Sequence, residues 1–127
     1  MRPSSENVDF IKSQHPDRAI YEIDAVIAEK NGEEESVLTV LMTGPSRDEY
    51  KFFVGKMMAA KEAKDDGDRL WGIRLAIENA ALAQIRWPDR ETVKAAFNGR
   101  PEMIDNFAAE LQKAAGSNVE LRSKKLA

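Results

Sequence analysis

The sequence has no cysteine and a single histidine, His15. Without cysteine there are no disulfides, no thiolate metal ligands and no cysteine nucleophile. A histidine-dependent triad would have to use His15, which precedes Pro16 and has no nearby motif for a base-holding group or an oxyanion hole. No glycine-rich phosphate loop is present either. We therefore expect a protein that is not an enzyme and that uses no cofactor.

Long apolar runs are missing as well. No stretch approaches the roughly 20 apolar residues that a membrane span needs, and the first residues lack the apolar segment of a secretory signal. The sequence therefore predicts a soluble, cytoplasmic protein without a membrane partner.

One acidic loop, Asp65-Asp66-Gly67-Asp68, invites comparison with a calcium-binding loop. An EF-hand loop has its glycine at about the sixth position and a bidentate glutamate at about the twelfth. Counted from Asp65, the glycine comes third and the twelfth residue is Ala76. We expect no metal site here, and we interpret the run Glu33 to Glu35 as solvated charge at a turn.

Charge is uneven along the chain, although the net charge is only −3. Residues 1–46 hold four basic and nine acidic side chains, and the remainder is slightly basic. Opposite potentials at the two ends favour head-to-tail association with a partner or a second copy, so a homo-oligomer stays open. A pI near 5.3 gives little support to nucleic-acid binding.

The N-terminal third predicts a short helix and a β-hairpin. Ser5–Gln14 has helical character, and His15-Pro16 ends it. Apolar residues alternate from Tyr21 to Ile27, and a β-branched, apolar run spans Val37 to Met42. Asn31-Gly32 between them is a favoured hairpin turn.

Four helices are predicted after the hairpin. Ser46 and Glu49 form a capping box that begins the first, which has an apolar stripe of Tyr50, Phe53, Val54 and Met57. The second, about Arg69 to Trp87, is apolar nearly all round and is predicted to be central, with Arg74 able to pair with Glu78.

Prolines and glycines predict the boundaries of the last two helices. Pro88 ends the long helix, Asp89 caps Arg90–Asn98, and Gly99 suits a left-handed position after it. Pro101 fits the first turn of the last helix, which Gly116 ends.

The predicted fold is therefore α+β and helix-rich, an N-terminal β-hairpin followed by a bundle of about four helices. We expect one domain over residues 1–116, with a helix and hairpin in 1–44 and helices in 45–116, and a flexible basic tail in 117–127.

The helix after Ser46 has a second, small-residue face that is not polar. We predict that this face binds a partner. Its residues are Phe52, Gly55, Met58, Ala59 and Ala63. Flexible methionines suit adaptable contacts, and exposed aromatic residues often anchor interfaces.

The charge of the last helix argues against its use as the recognition helix of a DNA-binding helix-turn-helix. Glu102, Asp105 and Glu110 would repel phosphates, and only Lys113 opposes them. Basic residues Arg122, Lys124 and Lys125 in the tail keep a small DNA-binding regulator open as an alternative.

Several short segments together resemble a known family. They are the hairpin, the helix start Pro45-Ser46-Arg47-Asp48-Glu49-Tyr50, the helix end Trp87-Pro88-Asp89-Arg90, and the helix pair split by Gly99-Arg100-Pro101. This arrangement, strongest from Pro45 to Gly116, resembles the tail assembly chaperones of long-tailed bacteriophages and related prophages.

The resemblance implies a non-enzymatic viral protein that acts in the cytoplasm of the bacterial host. Such chaperones bind the tape measure protein, keep its apolar helices soluble and assist tail-tube polymerisation. The implied partners are therefore the tape measure protein and the major tail protein. A structural component of a phage virion is a further alternative.

Overall fold

The computed structural model describes residues 2–28, 34–117 and 122–125. Along the chain come the elements α1 (Ser5–Gln14), β1 (Ile20–Ala28), β2 (Glu34–Thr43), α2 (Arg47–Lys61), α3 (Asp66–Gln84), β3 (Ile85–Trp87), α4 (Arg90–Gly99) and α5 (Met103–Gln112), followed by a π-helical turn (Lys113–Ser117). The α+β prediction, with a hairpin followed by four helices, is confirmed. The predicted Asn31-Gly32 turn lies outside the described residues.

The sheet is antiparallel with the order β1-β2-β3. Its central strand β2 is buried on both faces over Leu38 to Thr43, which explains why this part of the sequence is almost continuously apolar. On one face, Leu38, Val40 and Met42 join the helices. Helix α1 packs against β1.

The third strand was not predicted, and the predicted end of the long helix near Trp87 is wrong. Helix α3 ends at Gln84, and Ile85–Trp87 pairs with β2. The residue before a proline is disfavoured in helical conformation, and the β-branched Ile85 adds to the preference for extended backbone. The Trp87–Pro88 peptide bond is cis.

One hydrophobic core connects β2 with α3, α4 and α5. Its buried members are Leu38, Val40, Met42, Ala81, Leu82, Val93, Phe97, Met103, Ile104 and Phe107. The rings of Phe97 and Phe107 lie 5.5 Å apart between centroids and are tilted by 48°, a favourable aromatic arrangement. Helix α5 therefore contributes its apolar side, Met103, Ile104 and Phe107, to this core.

The predicted N-terminal caps of α2 and α4 are confirmed, and the predicted end of α4 and start of α5 are corrected. Asp89 Oδ2 accepts a hydrogen bond from Thr92 N at 3.2 Å, which caps α4. Gly99 is the last residue of α4 and has no positive φ; among the described residues only Gly116, with φ 108°, does. Helix α5 begins at Met103, two residues after Pro101, because Pro101 and Glu102 form a turn.

Much of the α2–α3 hairpin is exposed to solvent. Helix α2 has no fully buried residue, and the buried residues of α3 all lie from Ala76 onward. The prediction that α3 is central therefore holds only for its second half. Arg74 does not pair with Glu78: its guanidinium lies 3.2 Å from Asp105 Oδ2 on α5 instead.

The predicted domain limits stay a prediction. Of the predicted tail, Arg122 to Lys125 are exposed and without regular secondary structure.

Candidate partner-binding site

A groove with a cavity volume of about 520 Å³ runs between α2 and α3. We call it the α2–α3 groove. Phe52 and Phe53 contribute from α2, and Leu75 contributes from α3. Both Phe52 and Leu75 are exposed, so apolar surface from each helix is open to a partner. Exposed apolar surface of this kind is typical of protein–protein contacts.

The floor of the groove is built from small residues on α3. Gly72, Ala76, Ala80 and Ala83 follow one another at spacings of four, four and three, which places them on one side of the helix. A Cβ at Gly72 would lie 3.1 Å from Ala60 Cβ, so this glycine permits the close approach of α2 to α3. The short side chains leave the depression that a ridge of a third helix can enter.

A cation lies beside the exposed aromatic rim. Lys56 Nζ is 5.3 Å from the centroid of the Phe52 ring, within the range of a cation–π interaction. Tyr50 and Phe53 also contact each other, with ring centroids 6.1 Å apart. The rim of the groove therefore combines an aromatic anchor with one positive charge.

At one end of the groove lies a polar network centred on Glu49. Ser46 N donates to Glu49 Oε1 at 3.1 Å, and Gln84 Nε2 donates to Glu49 Oε2 at 2.9 Å. Arg18 Nη1 forms a close ion pair with Glu49 Oε1 at 2.6 Å, in a geometry that is not that of a hydrogen bond. Arg86 Nη2 approaches Glu49 Oε2 at 3.7 Å.

Further hydrogen bonds tie this network to the sheet. Thr43 Oγ1 donates to Gln84 Oε1 at 3.1 Å, and Arg86 Nε donates to Thr43 Oγ1 at 3.0 Å. The network thus joins the loop after α1, the end of β2, the start of α2 and the end of α3. It fixes α2 against α3 at one end of the groove.

The network shifts the pKa values of Glu49 and His15. Partial burial favours a higher pKa for Glu49, but the hydrogen bonds from Ser46 and Gln84 and the charge of Arg18 outweigh it and lower the pKa. Desolvation lowers the pKa of His15, and the charges of Arg86 and Arg18 lower it further. The network therefore favours the ionised form of the Glu49 carboxylate and the neutral form of His15.

The five predicted partner-binding residues do not all lie together. Phe52 lines the groove, and Gly55 and Ala59 are exposed nearby on α2. Ala63 is half-buried in the turn between α2 and α3. Met58 is exposed but does not line the groove, and it lies about 120° from Phe52 around α2.

The α3 side of the groove was missed by reasoning from the sequence. Its recurring small residues are a signal that could have indicated a channel, since they stand in a helix that is otherwise rich in large apolar residues. Leu111 from α5 also lines the groove, and only the tertiary fold brings it there.

No metal or membrane site emerges from the described ranges. Over residues 2–28, 34–117 and 122–125, no group of three or more histidine, aspartate or glutamate side chains could hold a metal ion. The same ranges contain no helix that is both long and apolar enough to span a membrane.

A profile for a domain of unknown function, DUF6848, matches residues 11–124. The chain belongs to the DUF6848 family. No curated protein matches this DUF6848 chain. It is similar in structure to an uncharacterised protein, rbstp2171, from Bacillus stearothermophilus, with a TM-score of 0.56 and 18% identity over 92% of this chain and 99% of the other. That similarity supports the fold alone.

Gly55 gives a direct test of how α2 is built. A Cβ at Gly55 would meet nothing within 4 Å, and the backbone there has no positive φ. We expect Gly55→Ala to raise the free energy of unfolding by about 0.5–1 kcal/mol, because alanine loses less backbone entropy in a helix. Urea unfolding measures this, with Gly72→Ala as the comparison that should destabilise by crowding Ala60. Equal effects of the two substitutions would contradict the described packing.

Proposed function

We propose that the protein is a phage tail assembly chaperone that holds apolar helices of a tape measure protein in the α2–α3 groove. The observation that carries the proposal is an exposed apolar groove between α2, which has no fully buried residue, and α3, whose small residues form its floor. A chaperone must expose such surface before its client arrives, and ordinary monomers rarely expose it without a partner.

The shape of the groove favours a helical client. Its floor follows one side of α3, so an incoming helix can lie along the channel with its ridges between the side chains of α2 and α3. Such helix-in-groove binding uses apolar residues spaced by three and four along the client. A tape measure protein is a long helical chain, so it would offer many similar segments, and repeated weak contacts would add up along it.

The resemblance of the helix starts and ends to tail assembly chaperones agrees with this geometry. Pro45 to Tyr50 forms both the beginning of α2 and one end of the groove. We propose the host cytoplasm as the place of action, with the major tail protein as a second partner. Self-association stays a prediction.

The test is co-production of the tagged protein with the proteins encoded beside it, followed by capture and mass spectrometry. We expect a tape measure protein to be retained, and overlapping fragments of it to become soluble only when this chain is present. Purified virions should lack the protein. Failure to retain or solubilise the tape measure protein would overturn the proposal.

The two alternative functions, a structural component of the virion and a DNA-binding regulator, predict different results. A structural component would be found in purified virions, and a DNA-binding regulator would shift DNA in a salt-sensitive manner. The outward side of helix α5 carries Asp105 and Glu110, which would repel DNA phosphates.

A further inference from the structure

A second cavity, of about 760 Å³, lies between the edge strand β1 and helix α5. We call it the β1–α5 slot. Four consecutive residues of β1, Ile23 to Val26, line it. Consecutive side chains of a strand point to opposite faces, so a cavity that touches four in a row follows the edge of the strand. The α5 side is one helical face: Met103, Asn106, Phe107 and Glu110.

The backbone of β1 is open along this edge. Strand β1 pairs with β2 on one side, and no other strand in the described ranges pairs with it. Gly44 N donates to Ala19 O at 3.3 Å, and these residues are the next pair in the β1–β2 register, so they form a hydrogen-bonded pair. Since such pairs alternate, Glu22 and Asp24 direct their N–H and C=O groups away from β2. An edge of this kind is a template for another strand.

The slot has an apolar floor and an acidic rim. Ile23 and Ala25 pack against the core, and Met103 and Phe107 belong to it. Around them lie three carboxylates and one guanidinium: Asp24, Glu102, Glu110 and Arg100. Arg2 also pairs with Asp24 at 3.2 Å, but it is largely exposed, and such a pair is weak enough to be displaced.

We propose that the β1–α5 slot binds an extended segment of a partner protein, which adds to β1 as an antiparallel or parallel strand. Its apolar side chains, at alternate positions, would enter the slot, and a lysine or arginine would face the acidic rim. Strand addition of this type takes its affinity from main-chain hydrogen bonds and its specificity from the side-chain pockets. The slot shares no lining residue with the α2–α3 groove, so this proposal does not rest on the proposed chaperone function.

The probe is a synthetic peptide of about eight residues, within the usual range of strand lengths, in which valine alternates with lysine and threonine. We expect saturable binding by fluorescence anisotropy. In ¹⁵N spectra of the full chain, the amides of Glu22 and Asp24 should shift, and those of α2 should not. A peptide of the same sequence that is N-methylated at its edge-facing amides should not bind, because it cannot complete the ladder.

Substitutions in the protein give a second, independent readout. Glu22→Pro removes an outward N–H and leaves the β1–β2 ladder intact, and an edge strand tolerates such a proline. We expect it to weaken peptide binding roughly threefold to tenfold, the effect of one hydrogen bond, with Glu22→Ala close to the unmodified protein. Glu102→Gln combined with Glu110→Gln should weaken binding at low salt and have little effect at high salt.

Three results would overturn the proposal. They are the absence of peptide binding, amide shifts centred on the α2–α3 groove, and equal binding of the N-methylated peptide. If Glu22→Pro does not fold, the N-methylated peptide still decides the question.

Discussion

Glutamate in place of Phe52 is expected to abolish the capture of tape measure helices and to leave thermal unfolding unchanged. Phe52 is 68% exposed, so its loss removes little packing from the folded chain, and surface changes of this kind stay within about 0.5 kcal/mol. In the complex, an aromatic anchor contributes about 2 kcal/mol or more, and a buried, unpaired carboxylate adds a further cost. We expect the Kd for a tape measure fragment to rise at least about 100-fold, as measured by isothermal titration calorimetry.

The matched control is Phe10→Glu. Phe10 is 65% exposed, nearly the same as Phe52, and lies on α1, away from the groove. It applies the same change of charge and the same loss of apolar surface at another place. Similar losses of affinity in the two variants would show that binding follows general hydrophobicity, which would contradict the groove as the client site. An intermediate affinity for Phe52→Leu would show that apolar area is the property that matters.

Local chemistry accounts for the parts of the fold that the sequence predicts well. The Ser46–Glu49 and Asp89–Thr92 caps depend on groups three residues apart, so the sequence alone determines them. The alternation in β1 and the spacing in α5 likewise report directly on which face is buried. The third strand depends instead on pairing with β2, more than forty residues earlier in the chain, and periodicity over three residues carries too little signal.

The candidate site was predictable on one helix and not on the other. Phe52 stands out because it lies off the main stripe of α2, and the structure places it on the groove. Met58 is also exposed but does not line the groove, because a six-residue separation places it about 120° from Phe52 around the helix. The alanines of α3 would fit a tightly packed core equally well. Only the exposure of the α2–α3 hairpin in the structure distinguishes a groove from a core.

The second large effect, on the free energy of unfolding, is expected from substitutions of Glu49 at the polar end of the groove. Glu49→Ala removes the α2 capping carboxylate, the acceptor for Gln84 and the partner of Arg18 and Arg86. We expect it to lower the free energy of unfolding by about 2–3 kcal/mol, because a lost cap costs about 1 kcal/mol and the partly buried cations lose their counter-charge. Glu49→Gln should cost about half as much, since an amide oxygen still caps the helix and only the charge is lost.

The pH dependence of this difference separates charge from packing. The pKa of Glu49 is lower in the folded chain than its ordinary value, so its ionised form stabilises the fold at any pH above that ordinary value. This contribution is lost as the pH falls through the folded pKa. The gap in unfolding free energy between the unmodified protein and Glu49→Gln should therefore be full at neutral pH and close in acid, as urea unfolding at a series of pH values would measure. A gap for Glu49→Gln that stays constant into acid would mean that the carboxylate acts through shape alone, and that the α2–α3 groove is held by packing and not by charge.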